Sequence, residues 1–137
     1  MNAYSNWTEK KDEVFRLLEK YAPECPVKDS LRLVNSSGEE LWIDFEDYQI
    51  TIFFDDWHCH YLSEFDEYQC FLEDLFDILE NRKYIICHYR GDNWAGSCLS
   101  ENAVPNETEL RNDYKGQKIV CSFWDNSKNI TYNNPEA

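Results

Sequence analysis

His58 and His60, separated by one residue, and His88, which follows Cys87, are the side chains in this chain best suited to chemistry. On a β-strand, residues two apart point to the same side. His58 and His60 would then offer two imidazoles from one face, and a carboxylate such as Asp55 or Asp56 could complete a zinc or transition-metal site. The same placement serves equally well for a solvent-facing or hydrogen-bonded pair that holds no metal. Nucleophile candidates are Cys59, Cys87 and Ser97, the last in Trp94-Ala95-Gly96-Ser97. No GxSxG elbow is present, and no cysteine sits in an obviously activated context. Four scattered glycines cannot make a phosphate-cradling loop. Carboxylates are so numerous that no pair stands out as a glycosidase couple. The expectation is a protein with no catalytic site and no cofactor.

The elements that must position these residues follow from hydrophobic periodicity. Trp7, Val14, Leu18 and Tyr21 share one face of a helix over residues 8–22, with Asn6 or Thr8 as its cap and Ala22-Pro23 as its end. Leu31 to Val34 predicts a short strand, and Asn35-Ser36-Ser37-Gly38 a turn. Leu41, Ile43 and Phe45 alternate with polar neighbours, as do Ile50, Ile52 and Phe54, giving a meander that extends past Asp55-Asp56 into Trp57 to Leu62. Ser63 caps a second helix, whose apolar stripe is Phe65, Tyr68, Leu72, Leu75, Phe76 and Leu79. Strands follow at 84–89, 94–100, 118–124 and 129–132. A polar loop from Glu101 to Gly116 hides a helical turn near Glu107–Arg111. The class is α+β: a single domain over 1–137 with a mostly antiparallel twisted sheet of about six to seven strands. Two main helices pack on that sheet, and 134–137 is a frayed tail.

Charge is the strongest signal. Between Glu39 and Asn81 lie fourteen Asp and Glu and no Lys or Arg, whereas the other 94 residues hold thirteen acids and thirteen bases. The net charge of −14 therefore belongs to this segment. The segment also carries Phe45, Tyr48, Phe53, Phe54, Trp57 and Tyr61, which a solvated acidic tail would lack. Solvated surfaces normally mix both signs, so 43 residues without a base argue for a functional anionic face. Such a face repels nucleic acid and anionic lipid, and it accelerates encounter with cationic proteins. Met1 to Thr8 has no apolar stretch of a secretory signal, and no run approaches the roughly 18 apolar residues of a membrane helix. A cytoplasmic location is expected, with six cysteines, none in CxxC, as reduced thiols.

The run Glu46-Asp47-Tyr48-Gln49-Ile50-Thr51-Ile52-Phe53-Phe54-Asp55-Asp56-Trp57-His58-Cys59-His60-Tyr61 resembles a pattern of small bacterial immunity proteins. In these an acidic residue leads a strand of the form x-I-T-V-x-F, followed by His-x-His and an aromatic. Gly91 to Ser97, Gly-Asp-Asn-Trp-Ala-Gly-Ser, resembles their hairpin after the helix. Such proteins are encoded beside polymorphic toxins, including those of contact-dependent growth inhibition. The resemblance implies a non-enzymatic antitoxin that covers the active surface of a cognate toxin C-terminal domain, often a nuclease. Nucleases grip phosphates and are basic, in agreement with the charge. The expected contact residues are Asp55, Asp56, Trp57, His58, His60, Asp66, Glu67, Glu73, Asp74 and Asp77, then Asp44 and Glu46. Trp57, Tyr61 and Tyr48 are the expected aromatic anchors. The rivals are a metal-dependent enzyme or metal-binding module on His58 and His60, and an acidic DNA-mimic antirestriction protein or adaptor.

Overall fold

A computed structural model describes residues 6–133; the expected tail at 134–137 lies outside them. The α+β class holds, and every strand pairing is antiparallel. Among the described residues, eight strands divide into two four-stranded sheets rather than forming one, and the chain divides into two compact units, Met1–Leu75 and Phe76–Ala137. Period-two alternation tells which face a residue takes, but not which strands pair.

The first unit begins with a 3-10 turn, Trp7–Glu9, that runs into α1 (Lys10–Leu17). Asn6 caps it, its Oδ1 accepting from the Thr8 N–H at 3.0 Å. Val14 and Leu18 are fully buried, as the helical period requires. The helix is shorter than the expected 8–22. A second 3-10 turn, Glu19–Tyr21, follows it, and Ala22 ends it in the left-handed region (φ 52), a conformation common at helix C-termini, just before Pro23.

Strands β1 (Ser30–Val34), β2 (Glu40–Phe45), β3 (Gln49–Phe54) and β4 (Trp57–Leu62) form a meander in chain order. Leu31, Leu33, Leu41, Ile43, Phe45, Ile50, Ile52, Phe54, Trp57 and Tyr61 are buried along its inner face. Each large apolar side chain buried in this way contributes roughly 1.5–3 kcal/mol. The β3–β4 connection is Asp55-Asp56, with Asp55 left-handed (φ 55), a conformation that a short polar side chain tolerates.

The second helix starts later than expected. Ser63–Phe65 forms a 3-10 turn, Asp66 turns left-handed (φ 51), and α2 spans Tyr68–Leu79. Ser63 is therefore not its cap; Glu67 reaches back instead, accepting from the Leu62 N–H at 2.9 Å. Phe71 packs edge-on against Phe45 (6.4 Å) and Tyr61 (5.6 Å), which seats the start of α2 on the meander. Tyr68 meets the Trp7 ring at 5.9 Å and donates to Glu13 Oε1 at 2.5 Å.

In the second unit β5 (Ile85–Arg90), β6 (Asn93–Leu99), β7 (Lys118–Ser122) and β8 (Ile130–Tyr132) pair in the order β6-β5-β7-β8. The helical turn expected near 107–111 is α3 (Glu107–Asp113), capped by Asn106, whose Oδ1 accepts from the Glu109 N–H at 3.1 Å. Its Leu110 packs with Tyr84, Ile86, Ile119, Cys121 and Phe123. All six cysteines are thiols outside any disulfide. Among the described residues, no helix is long and apolar enough to cross a membrane.

Candidate functional site

The outer face of the first sheet collects the residues that sequence singled out. Register aligns Arg32, Trp42, Phe53 and His58 in one cross-strand row, and Ser30, Asp44, Thr51 and His60 in the next. The Arg32 guanidinium lies 5.6 Å from the Trp42 ring centre, and Phe53 stacks on His58 at 5.7 Å. His58 and His60 meet edge-on at 5.1 Å, both exposed and on one side, as their spacing predicts. His60 Nδ1 lies 2.8 Å from Thr51 Oγ1, and the Ser30 hydroxyl donates to Asp44 Oδ1 at 2.8 Å. Exposed Glu40, Glu46, Asp55 and Asp56 stand at or just beyond the strand ends, so aromatic and imidazole surface is edged by carboxylates.

Several expected contact residues sit elsewhere. Trp57 (8% exposed) and Tyr61 (3%) are core residues, not surface anchors. Strand parity is the reason: residues one apart face opposite ways, so Trp57 and Tyr61 cannot share a face with His58 and His60. The Tyr61 hydroxyl donates to Asp74 Oδ2 at 2.7 Å. Burial, with that carboxylate beside it, holds the phenol protonated far above its ordinary range. Asp77 accepts from Arg82 Nε at 2.7 Å and lies 3.8 Å from Lys83 Nζ, while Glu80 pairs with Arg82 at 2.9 Å. Bases just past Asn81 therefore compensate part of the acidic flank of α2. Glu67, half-buried, serves as a backbone acceptor. Asp66 and Glu73 are exposed, Asp44 is half-buried, and Tyr48 stands 59% exposed.

The candidates for chemistry are also placed. Burial pushes the Cys59 thiol up; a hydrogen bond with Tyr61 works against this, and Asp74 and Glu67 add to it, so the net effect opposes thiolate formation. Cys87 is fully buried and sits opposite Ser97 in the β5–β6 register. Among the described residues, no group of three or more His, Cys, Asp or Glu could hold a metal ion.

Charge favours the first unit. It holds eighteen acids and six Lys or Arg, a net −12, against nine and seven, a net −2, in the second. Of the fourteen acids in the Glu39–Asn81 segment, nine are exposed and none is buried. A cleft of about 360 Å³ is lined by Tyr48, Gln49, Leu62, Ser63 and Glu64. Tyr48 and Gln49 also line a depression of about 540 Å³ with Asp29, Glu46 and Asp47. Of the cleft residues, sequence reasoning had picked out only Tyr48. The available signal was the Glu46-Asp47-Tyr48 turn, acids beside an aromatic where two strands meet. In the second unit, Glu101, Glu109, Asp113, Cys98 and Tyr114 help line a cleft of about 430 Å³. There the Cys98 thiol lies 3.7 Å from the Tyr114 hydroxyl, and burial raises that phenol to about 12. Compared with known protein families, curated proteins and solved structures, the chain matches none.

Proposed function

We propose that this chain is an immunity-type inhibitor that binds a basic toxin domain of the nuclease class and covers its phosphate-gripping surface. The observation that carries the reading is the partition of charge. A net −12 sits on one 75-residue unit, with most of its acids exposed, and that unit also carries an aromatic and histidine sheet face edged by Glu40, Glu46, Asp55 and Asp56. So large an excess of one sign opposes compaction through self-repulsion, and a partner of opposite sign is its best explanation. Carboxylates on Glu46, Asp47, Asp55, Asp56, Glu64, Asp66 and Glu73 would occupy the places where the toxin holds phosphates. Tyr48, Phe53, His58 and His60 would supply contact area between them. Steering of this kind raises association toward 10⁸–10⁹ M⁻¹s⁻¹ at low salt, against about 10⁵–10⁶ M⁻¹s⁻¹ without it. The cytoplasm, where a nuclease toxin meets its substrate, is the proposed compartment.

The test begins at the gene directly upstream, which should encode a toxin domain with a basic C-terminal region. Mixed with this chain, that purified domain should form a stoichiometric complex and lose its nuclease activity. Its association rate should fall by more than about tenfold as salt is raised from low to physiological ionic strength. A basic domain from that locus that remains active and unbound in excess of this chain would remove the proposal.

A further inference from the structure

We infer that His58 and His60 form a two-point chelate for a divalent transition-metal ion of the zinc, nickel or copper kind, with water in its remaining positions. The assignment does not depend on the inhibitor reading. It rests on how β3 and β4 hold the two rings.

Among the described residues, β4 is an edge strand, paired on one side only, with β3. His58 and His60 stand two apart on it, so both leave the sheet on the same face. Their ring centres lie 5.1 Å apart, and both side chains are exposed, so an ion from solvent meets the two together. At that spacing, side-chain rotation brings one nitrogen of each ring to the roughly 2.0–2.1 Å of a metal bond.

Strand β3 prepares the pair. Thr51 lies opposite His60 in the register, and its Oγ1 is 2.8 Å from His60 Nδ1. Thr51 is 1% exposed and β-branched, so it holds that contact stiffly. A hydroxyl accepts as readily as it donates. Nδ1–H can therefore donate to Thr51 and leave Nε2 as the metal ligand, the usual arrangement of a metal-bound histidine. Gln49 Nε2, 3.3 Å from the same nitrogen, is a donor and favours the opposite tautomer without an ion, but its closer tie is to Glu46 Oε2 at 2.8 Å. Phe53 is the cross-strand partner of His58 and stacks on it at 5.7 Å, which restrains the other ring.

Ring chemistry sets the class of ion. Imidazole nitrogens suit zinc, copper and nickel, whereas magnesium and calcium take oxygen ligands. This separates the site from the general negative charge of the unit, which would draw any cation. Two protein ligands also fall short of the three or four in a catalytic or structural zinc centre. The site is therefore a surface chelate that exchanges with ions in the medium, not a centre around which the fold forms.

The experiment titrates the full chain with zinc chloride, and then with nickel chloride, read by calorimetry and by amide shifts. The exposed thiols are removed as competitors by Cys25→Ser, Cys70→Ser and Cys98→Ser. Each metal should bind at one equivalent, and zinc should shift residues 51, 53 and 58–60. Magnesium and calcium at the same concentration should leave those residues where they are. His58→Ala and His60→Ala should each weaken zinc at least about tenfold, because the second ring binds as an intramolecular step. Thr51→Val keeps the shape without the hydroxyl and should weaken zinc about tenfold, and Thr51→Ser should restore most of it. His88, which stacks on Tyr114 and bonds Gln117, is the control: a folded His88→Gln should bind zinc as the parent does. Full binding by either His58→Ala or His60→Ala, a loss in folded His88→Gln, or calcium shifts equal to those of zinc would overturn the chelate.

Discussion

Tyr61 shows how a residue chosen for recognition can serve the fold instead. Its phenol is buried and donates to Asp74, so the proton is held far above the ordinary value of 10.0. As pH rises, the unfolded chain releases this proton first. The contribution is therefore complete below pH 10 and is lost above it, at about 1.4 kcal/mol per pH unit for one such group. Tyr84 and Tyr114, each raised to about 12 by burial, add to the same window. Denaturant midpoints should hold to about pH 10 and then fall, less steeply in Tyr61→Phe. At neutral pH that variant should lose roughly 1.5–3 kcal/mol, the size of a hydrogen bond to a charged group. A pH profile of Tyr61→Phe that superimposes on the parent would contradict this account. Gly96 makes a second case. A Cβ there would stand 2.8 Å from His88 Nε2. That ring is pinned, because its Nδ1–H donates to Gln117 Oε1 at 2.6 Å and its face stacks on Tyr114 at 4.2 Å. Gly96→Ala should lose about 1–3 kcal/mol by overpacking. Adding His88→Ala should relieve most of that loss, which a double-mutant cycle by thermal melting would read as strong coupling.

Secondary elements show what periodicity revealed and where it stopped. The four strands of the meander, the turn at 35–38 and the short helix near 107 all follow from alternation, turn residues and caps, which act locally. The split into two sheets depends on pairing across sequence, which no local pattern carries. The late start of α2 depends on a single left-handed residue, Asp66, between Ser63 and Tyr68. A Ser-x-x-Asp run reads the same whether or not that break occurs. The acidic, histidine-bearing face was visible as charge and spacing. The burial of Trp57 and Tyr61 was also available from the parity that placed His58 and His60 outward, but grouping them by neighbourhood in sequence hid it. The β3–β4 turn offers a way to change the proposed contact face without changing the fold. Asp55 is left-handed, a conformation open to Gly and Asn but strained for β-branched residues. Asp55→Asn and Asp55→Gly should keep stability within about 0.5 kcal/mol, whereas Asp55→Val should lose about 1–2 kcal/mol. Equal thermal midpoints for the Asn and Val variants would mean that the turn is not held as described.

The molecule as a whole carries its charge unevenly, and two consequences of opposite kind follow. Self-repulsion among the −12 of the first unit should make stability rise with salt, because the Debye length shrinks from about 30 Å at 0.01 M to about 8 Å at 0.15 M. The thermal midpoint should climb over that range, where a fold held mainly by surface ion pairs would lose stability. The same charge, if kept for a cationic partner, must act from where it sits. Replacing Glu46, Asp47, Glu64 and Glu73 by their amides removes four exposed acids of the first unit while leaving untouched the acids that bond Tyr61, Leu62, Arg82 and Lys83. Replacing Asp92, Glu101, Glu109 and Asp113 removes as many exposed acids from the second unit. Both sets change the net charge by the same four units, so a partner drawn by net charge alone would respond to them equally. A partner that docks on the first unit would instead associate at least tenfold more slowly with the first set, at low salt, and nearly normally with the second. The first set should also raise the thermal midpoint by relieving repulsion, so slower binding could not be blamed on a damaged fold. Equal slowing by the two sets, measured by stopped-flow with the basic domain, would mean that the charge works at a distance only and that the first unit is not the docking face.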